Sequence, residues 1–330
     1  MKTTTFSIPL SAENESKIKT KKDYKMAVQE KFRAVIPAFY ACYDDEGTVS
    51  RERAANLAKF YLSIGIKGLY VTGSSGECVF QSVEERKATL EAVMEAVGGK
   101  MTVIAHVAAP STRDSIELAR HAESLGVDAI AMVPGFFYVP NEKMVEKYWC
   151  DVLAATEKVP LFIYNIPGTT NGFNLPTPLF EKLLKTGRVA GVKNSSGAVQ
   201  DIMRFRVAGG DDVAIFNGPD EQYLAGRMMG ASGGIGGTYG YMPELFMKLE
   251  ELINLGNMER AAALQKEITT LITETKRASS LYAAAKGVLR LRGIECGSVR
   301  PPFIPLSESD DEIIKNLYAH IKEVMSCFGC

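Results

Sequence analysis

Short apolar runs recur along the chain, separated by longer stretches in which apolar and polar positions alternate with a helical period. Eight runs, at 33–39, 69–71, 101–107, 127–134, 159–165, 189–193, 213–217 and 231–236, are largely apolar at consecutive positions. Such runs suit strands buried on both faces, the state of a parallel sheet covered by helices. The stretches between them repeat apolar residues at three and four positions, as Ala54, Leu57, Phe60, Tyr61 and Ile64 do. Several open on capping residues, among them Ser50, the Ser82–Val83–Glu84–Glu85 box and Ser111 ahead of Asp114. Pro37 is a blemish for a central strand.

Strand and helix alternate at a spacing of roughly 25 residues, which predicts an α/β fold closed as a (β/α)8 TIM barrel. After residue 256 no further strand is expected. Two or three helices follow, the last capped by Ser309 after an extended connector, Pro301–Pro302–Phe303–Ile304–Pro305. The expected organisation is a tail over 1–30 with a short docking helix around 22–32, a barrel over 31–256 and a C-terminal all-helical extension over 257–330.

The sixth run carries the chemistry. Val189–Ala190–Gly191–Val192 is apolar, and Lys193 follows at the C-terminal end of the strand, where active sites of such barrels are built. Apolar surroundings disfavour an ammonium, so neutral amine becomes available. A neutral amine can attack a ketone and form a Schiff base. Other strand ends hold matching groups. Gly73–Ser74–Ser75–Gly76–Glu77 follows the second strand and offers two hydroxyls and backbone N–H groups to a carboxylate. Tyr164 ends the fifth strand, where a phenol can pass a proton. Gly218, Asp220 and Glu221 follow the seventh, and Ile235 and Gly236 lie in a glycine-rich eighth that permits close backbone approach to a ligand. That glycine run lacks GxGxxG spacing, which weakens a nucleotide site.

Composition narrows the classes. The chain has 330 residues, 46% hydrophobic and 23% charged, with a net charge of −1. That balance gives no support to nucleic acid or an acidic membrane as partner, and no run approaches the ~18 apolar residues of a membrane span. The six cysteines are scattered, as suits reduced thiols in a cytoplasmic protein. Cys327 and Cys330 form a terminal CxxC, read as a frayed tail. The three histidines lack metal-ligand spacing, which disfavours a metal-dependent aldolase.

Taken together, Gly73–Glu77, the Tyr164–Asn165–Ile166–Pro167 run and Gly191–Val192–Lys193 resemble the N-acetylneuraminate lyase and dihydrodipicolinate synthase family of pyruvate-dependent class I aldolases, over about residues 32–306. The resemblance implies that Lys193 forms the imine with pyruvate and that Ser74 and Ser75 bind the pyruvate carboxylate, a serine hydroxyl joining the proton relay. It implies that Tyr164 is the general acid–base and that Ser195 places a hydroxyl near the substrate. Gly218, Asp220 and Glu221 match the stretch that sialic acid lyases use for the polyhydroxy tail of the sugar. It further implies a homotetramer that needs no metal or organic cofactor. There are departures. Phe137, with Tyr138 beside it, stands nearest the place of a second tyrosine that the family often contributes across a subunit interface. Ala41–Cys42–Tyr43 replaces a Thr-Pro-Phe, and Gly237 stands where lyases often have a serine.

The expected substrate is a sugar acid, sialic or 2-keto-3-deoxy, cleaved to pyruvate and an aldehyde. Dihydrodipicolinate synthases place an arginine shortly after the Tyr-Asn-Val-Pro run to hold the carboxylate of aspartate semialdehyde. Here Gly168–Thr169–Thr170–Asn171–Gly172 brings no cation, and Asp220 and Glu221 would repel a carboxylate. Dihydrodipicolinate synthase and a non-catalytic keto-acid-binding barrel are the alternatives.

Overall fold

The computed structural model describes residues 30–330; the tail, and the docking helix expected around Lys22, lie outside the described residues. Eight parallel strands follow one another around a barrel: β1 (Val35–Pro37), β2 (Gly68–Val71), β3 (Thr102–His106), β4 (Ala129–Met132), β5 (Leu161–Asn165), β6 (Val189–Asn194), β7 (Ala214–Asn217) and β8 (Gly233–Gly236). β1 pairs with β8. The Phe39 N–H donates to the Tyr70 carbonyl at 2.9 Å and closes the ring against β2. Pro37 fits β1 because the strand has only three residues. Almost every strand residue is buried, as apolar runs without alternation require.

Helices α1 (Arg51–Ser63), α2 (Val83–Val97), α3 (Thr112–Ser124), α4 (Glu142–Ala154), α5 (Thr177–Leu184), α6 (Gln200–Gly209) and α7 (Tyr223–Met228) connect successive strands. Their caps form where the sequence places them. The Ser50 side chain accepts from the Arg53 N–H and Ser111 from that of Asp114; α4 adds a cap of its own, Asn141 accepting from the Met144 N–H. Ser82 and Glu85 make both bonds of a capping box.

Three local expectations are corrected. Ahead of α7 the chain makes a 3-10 turn, Asp220–Gln222, where the Asp220 carboxylate is held elsewhere and caps nothing. Ser309 caps nothing either, since its backbone is already helical (φ −68, ψ −20). The next residue, Asp310, accepts from the Ser307 N–H at 2.8 Å and the Ser279 N–H at 3.0 Å. The connector at 301–305 begins as a turn before it extends. Cys327 lies inside the last helix, whose end is closed by Gly329 in the left-handed region (φ 72), so this end is not frayed.

After α8 (Pro243–Asn254) come three helices, α9 (Met258–Thr275), α10 (Leu281–Leu291) and α11 (Asp310–Phe328). α10 is fastened to the C-terminal end of the barrel. Lys286 Nζ lies 2.8 Å from Glu77 Oε1, with side-chain exposures of 2% and 0%. It also donates to the Ser298 carbonyl at 2.7 Å, and Glu77 Oε2 accepts the Arg300 N–H at 2.9 Å. Glu77 ends the loop after β2, and its backbone is left-handed (φ 51), as is that of Thr72 at the other end (φ 57). Non-glycine residues hold that conformation only where surroundings over-determine it. Here Thr72 Oγ1 donates to the His106 carbonyl at 2.9 Å, and Glu77 is held by α10 and the segment after it.

Removing one partner of such a pair strands the other charge. Glu77→Gln is expected to lower unfolding free energy by about 3–5 kcal/mol. The double variant Glu77→Gln/Lys286→Met is expected to recover most of that loss. Urea denaturation of the wild type and the variants checks this; equal losses in the single and double variants would contradict it.

Candidate active site

The site is built from strand ends brought level by the barrel. β5 and β6 are adjacent, and their register sets Tyr164 beside Lys193. Residues in register on neighbouring strands face the same side, so both point into the barrel mouth. Lys193 Nζ stands 4.0 Å from the centroid of the Tyr164 ring and 4.4 Å from that of the Tyr70 ring. Only 5% of the lysine is exposed.

The residues after Lys193 and Tyr164 point the other way. Asn165, Asn194 and Asn217 form a register row behind the wall. Asn165 Nδ2 donates to Asn194 Oδ1 at 2.8 Å, Asn194 Nδ2 to Ser196 Oγ at 3.0 Å, and Ser196 Oγ to Asp201 Oδ2 at 2.8 Å. This buried network fixes the strand ends on which the two site residues stand.

A cavity of about 410 Å³ opens above Lys193. Ser74, Ser75, Tyr164, Lys193, Ser195, Gly218, Asp220, Glu221 and Ile235 all line it. Two expected residues do not. Gly73 is covered by Tyr70, whose Cε1 would sit 2.5 Å from a Cβ at that position. Gly236 is packed against Asp220 and Tyr239, and a Cβ there would strike the carboxylate. Both glycines serve close packing behind the wall, while Gly237 and Thr238 reach the cavity. Of the two serines, Ser75 is buried and Ser74 exposed to the cavity side.

Asp220 is buried, and its Oδ2 accepts both the Thr238 N–H at 2.7 Å and the Thr238 hydroxyl at 2.6 Å. Burial pushes its carboxyl up to about 6; Glu221 adds to the rise, while the Thr238 bonds and the Lys193 charge oppose it. A carboxyl raised in the folded state contributes most stability below its unfolded value, and that contribution is lost as pH rises through about 6. Glu221 is exposed and pairs with Lys276, just after α9, at 2.9 Å. The mouth therefore contains a cation, though not at 168–172.

The helical extension supplies one wall. Ile272 of α9, Lys276 just after it, and Leu281 and Tyr282 of α10 line the cavity. Burial pushes the Tyr282 phenol up, and the neighbouring Ser75 hydroxyl opposes the shift. Nothing local in the sequence marks these four residues, which lie far along the chain from the strand ends they meet. His106 lies beneath, its Nδ1 3.2 Å from the Thr72 carbonyl. Burial, with the charges of Arg86 and Lys193, pushes its imidazole well below the usual range and keeps the ring neutral.

Phe137, Tyr138 and Val139 stand out from the loop after β4, with exposures of 85%, 77% and 75%. Among the described residues, no group of three or more His, Cys, Asp or Glu is placed to hold a metal ion, and no helix is long and apolar enough to cross a membrane.

Known proteins resemble this chain over most of its length. A model of the dihydrodipicolinate synthetase family matches residues 31–321. N-acetylneuraminate lyase of Mediterraneibacter gnavus is 50% identical over 288 residues, 87% of this chain and 91% of the relative. The N-acetylneuraminate lyase of Rhizobium meliloti is 33% identical over 291 residues, 88% and 96% of the two chains. The structure of wild-type Ruminococcus gnavus sialic acid aldolase superposes with a TM-score of 0.89 at 48% identity, covering 90% of this chain and 99% of that one. With eight strands in register and a matched span that takes in both barrel and extension, the chain belongs to the dihydrodipicolinate synthetase family.

Proposed function

We propose that the protein is an N-acetylneuraminate lyase that cleaves its sugar acid through an imine on Lys193. The observation that carries this is the pairing of Lys193 and Tyr164 in one register position at the floor of a cavity whose outer rim is acidic and hydroxyl-rich. The neutral Lys193 amine attacks the keto carbon; the carbonyl oxygen takes two protons and leaves as water, and a protonated C=N bond remains. Ser74 and Ser75 hold the substrate carboxylate. Tyr164 removes the proton of the hydroxyl next to the scissile bond. The C–C bond breaks, its electrons pass into the iminium, and an aldehyde leaves. Protonation of the resulting enamine and attack by water release pyruvate and restore the amine.

Asp220 and Glu221 accept hydrogen bonds from the hydroxyls of the sugar tail, and Ser195 and Gly218 line the same cavity. Lys276 neutralises Glu221 rather than presenting a free cation, which supports a neutral aldehyde over aspartate semialdehyde. A parallel assay of pyruvate with N-acetylmannosamine, glyceraldehyde and aspartate semialdehyde tests the substrate. N-acetylmannosamine is expected to react most efficiently; turnover of the semialdehyde alone would replace this reading with dihydrodipicolinate synthase.

Protonation of Asp220 removes an acceptor. The KM for the sugar acid is therefore expected to rise as pH falls below about 6. Asp220→Asn is expected to flatten that rise, and an unchanged profile would remove Asp220 from sugar recognition.

The exposed Phe137, Tyr138 and Val139 support a homotetramer in which this loop is covered, to be checked by light scattering. The cytoplasm is the compartment we propose; the six free thiols support it.

A further inference from the structure

Tyr70 is unexplained by the fold alone. It is fully buried, yet among the described residues its hydroxyl has no hydrogen-bond partner. Buried phenols normally find one. Its ring, in contrast, is closely engaged on several sides. It lies against Gly73, where a Cβ would come within 2.5 Å, and meets the Tyr164 ring edge to face at 6.0 Å between centroids. The His106 ring lies 6.1 Å away. Lys193 Nζ stands over the Tyr70 ring at 4.4 Å and over the Tyr164 ring at 4.0 Å. Among the described residues, Lys193 makes no ion pair or hydrogen bond through its side chain; the Asp220 carboxylate acts on it only through space and is itself held by Thr238.

We propose that Tyr70 is a positioning residue whose ring face, together with that of Tyr164, holds the Lys193 nitrogen and stabilises it when it is the cationic nitrogen of the imine. This rests on the imine reading given above. In the free protein the nitrogen keeps more than one N–H group and can turn to cavity water. In the imine the nitrogen has one N–H and is crowded by the methylene and carboxylate of the substrate, so water is displaced. A ring face is worth more to a desolvated cation than to a hydrated one. The contribution is therefore larger in the imine than in the resting amine, which makes it catalytic in effect. The unpartnered hydroxyl has no part in this. The ring serves the nitrogen on one side and fixes the loop that holds Ser74 and Ser75 on the other.

The test keeps the shape of the ring and changes its electrons. Tyr70→Phe is compared with proteins carrying phenylalanine with one, two or three ring fluorines at position 70. Melting temperature is measured for each, together with kcat/KM and the fraction trapped on Lys193 by borohydride at a fixed pyruvate concentration. Tyr70→Phe is expected to stay within about twofold of wild type, because it keeps the ring face. Fluorination is expected to lower kcat/KM and the trapped fraction stepwise, to roughly tenfold at three fluorines, at unchanged melting temperature. A flat series with an intact Lys193 adduct overturns the role of Tyr70 and leaves the imine in place. Absence of the adduct in wild type overturns the imine, and the role of Tyr70 with it.

Discussion

Lys193→Met is expected to abolish turnover with every substrate, a loss of more than ~10⁴-fold, while leaving the protein folded. The loss follows from the proposed chemistry, since no other lysine among the described residues is sandwiched at the cavity floor. Folding should survive because the lysine contributes little to stability. Its side chain is buried without an ion pair among the described residues, and methionine fills much of the same space with no charge to desolvate. The melting temperature is expected to stay the same or rise, as it does when a functional group that strains the fold is removed. Turnover and thermal melting on one preparation check both halves. Residual turnover near the wild-type rate would end the imine mechanism.

Tyr164→Phe is expected to lower kcat by roughly 10²–10⁴-fold, the range for removing a general acid–base group. The ring remains, so its contact with the Lys193 nitrogen remains, and the KM for pyruvate is expected to change little. Loss of kcat without loss of binding separates proton transfer from packing. The variant should still form a trappable imine with pyruvate while failing to cleave the sugar acid. Wild-type turnover would move the proton to another phenol. Tyr282 is then the next choice, because it lines the same cavity as Ser75. Tyr138 is less suited, standing 77% exposed on the loop after β4.

The barrel was legible in the sequence because each of its parts is local. A strand buried on both faces is an apolar run, and a helix start is a Ser or Asn with free backbone N–H groups behind it. Ser50, Ser82 and Ser111 all cap where the sequence puts them. The meeting of Lys193 and Tyr164 was legible for a related reason. Consecutive strands of a barrel are neighbours, so groups at the ends of the fifth and sixth strands must meet.

What stayed hidden depends on contacts between distant parts of the chain. Glu77 reads as the end of a glycine-rich turn, and only the fold shows that Lys286, 209 residues later, clamps it. Glu221 reads as a free acid, and only α9 brings Lys276 to it. Tyr282 reads as the start of an appended helix and is part of the cavity wall. Tyr70 reads as one more apolar strand residue, because a ring under the nucleophile has the same pattern as a ring in the core. Asp220 reads as a helix-starting acid and is taken by Thr238 instead, which explains the 3-10 turn in its place.

The covalent step is tested most directly by trapping it. The protein is incubated with pyruvate and borohydride, digested, and its peptides are weighed. A reduced pyruvyl adduct on the peptide containing Lys193, and absent from Lys193→Met, is the result expected. An adduct on a different lysine, or no adduct with protein that turns over, would contradict an imine on Lys193.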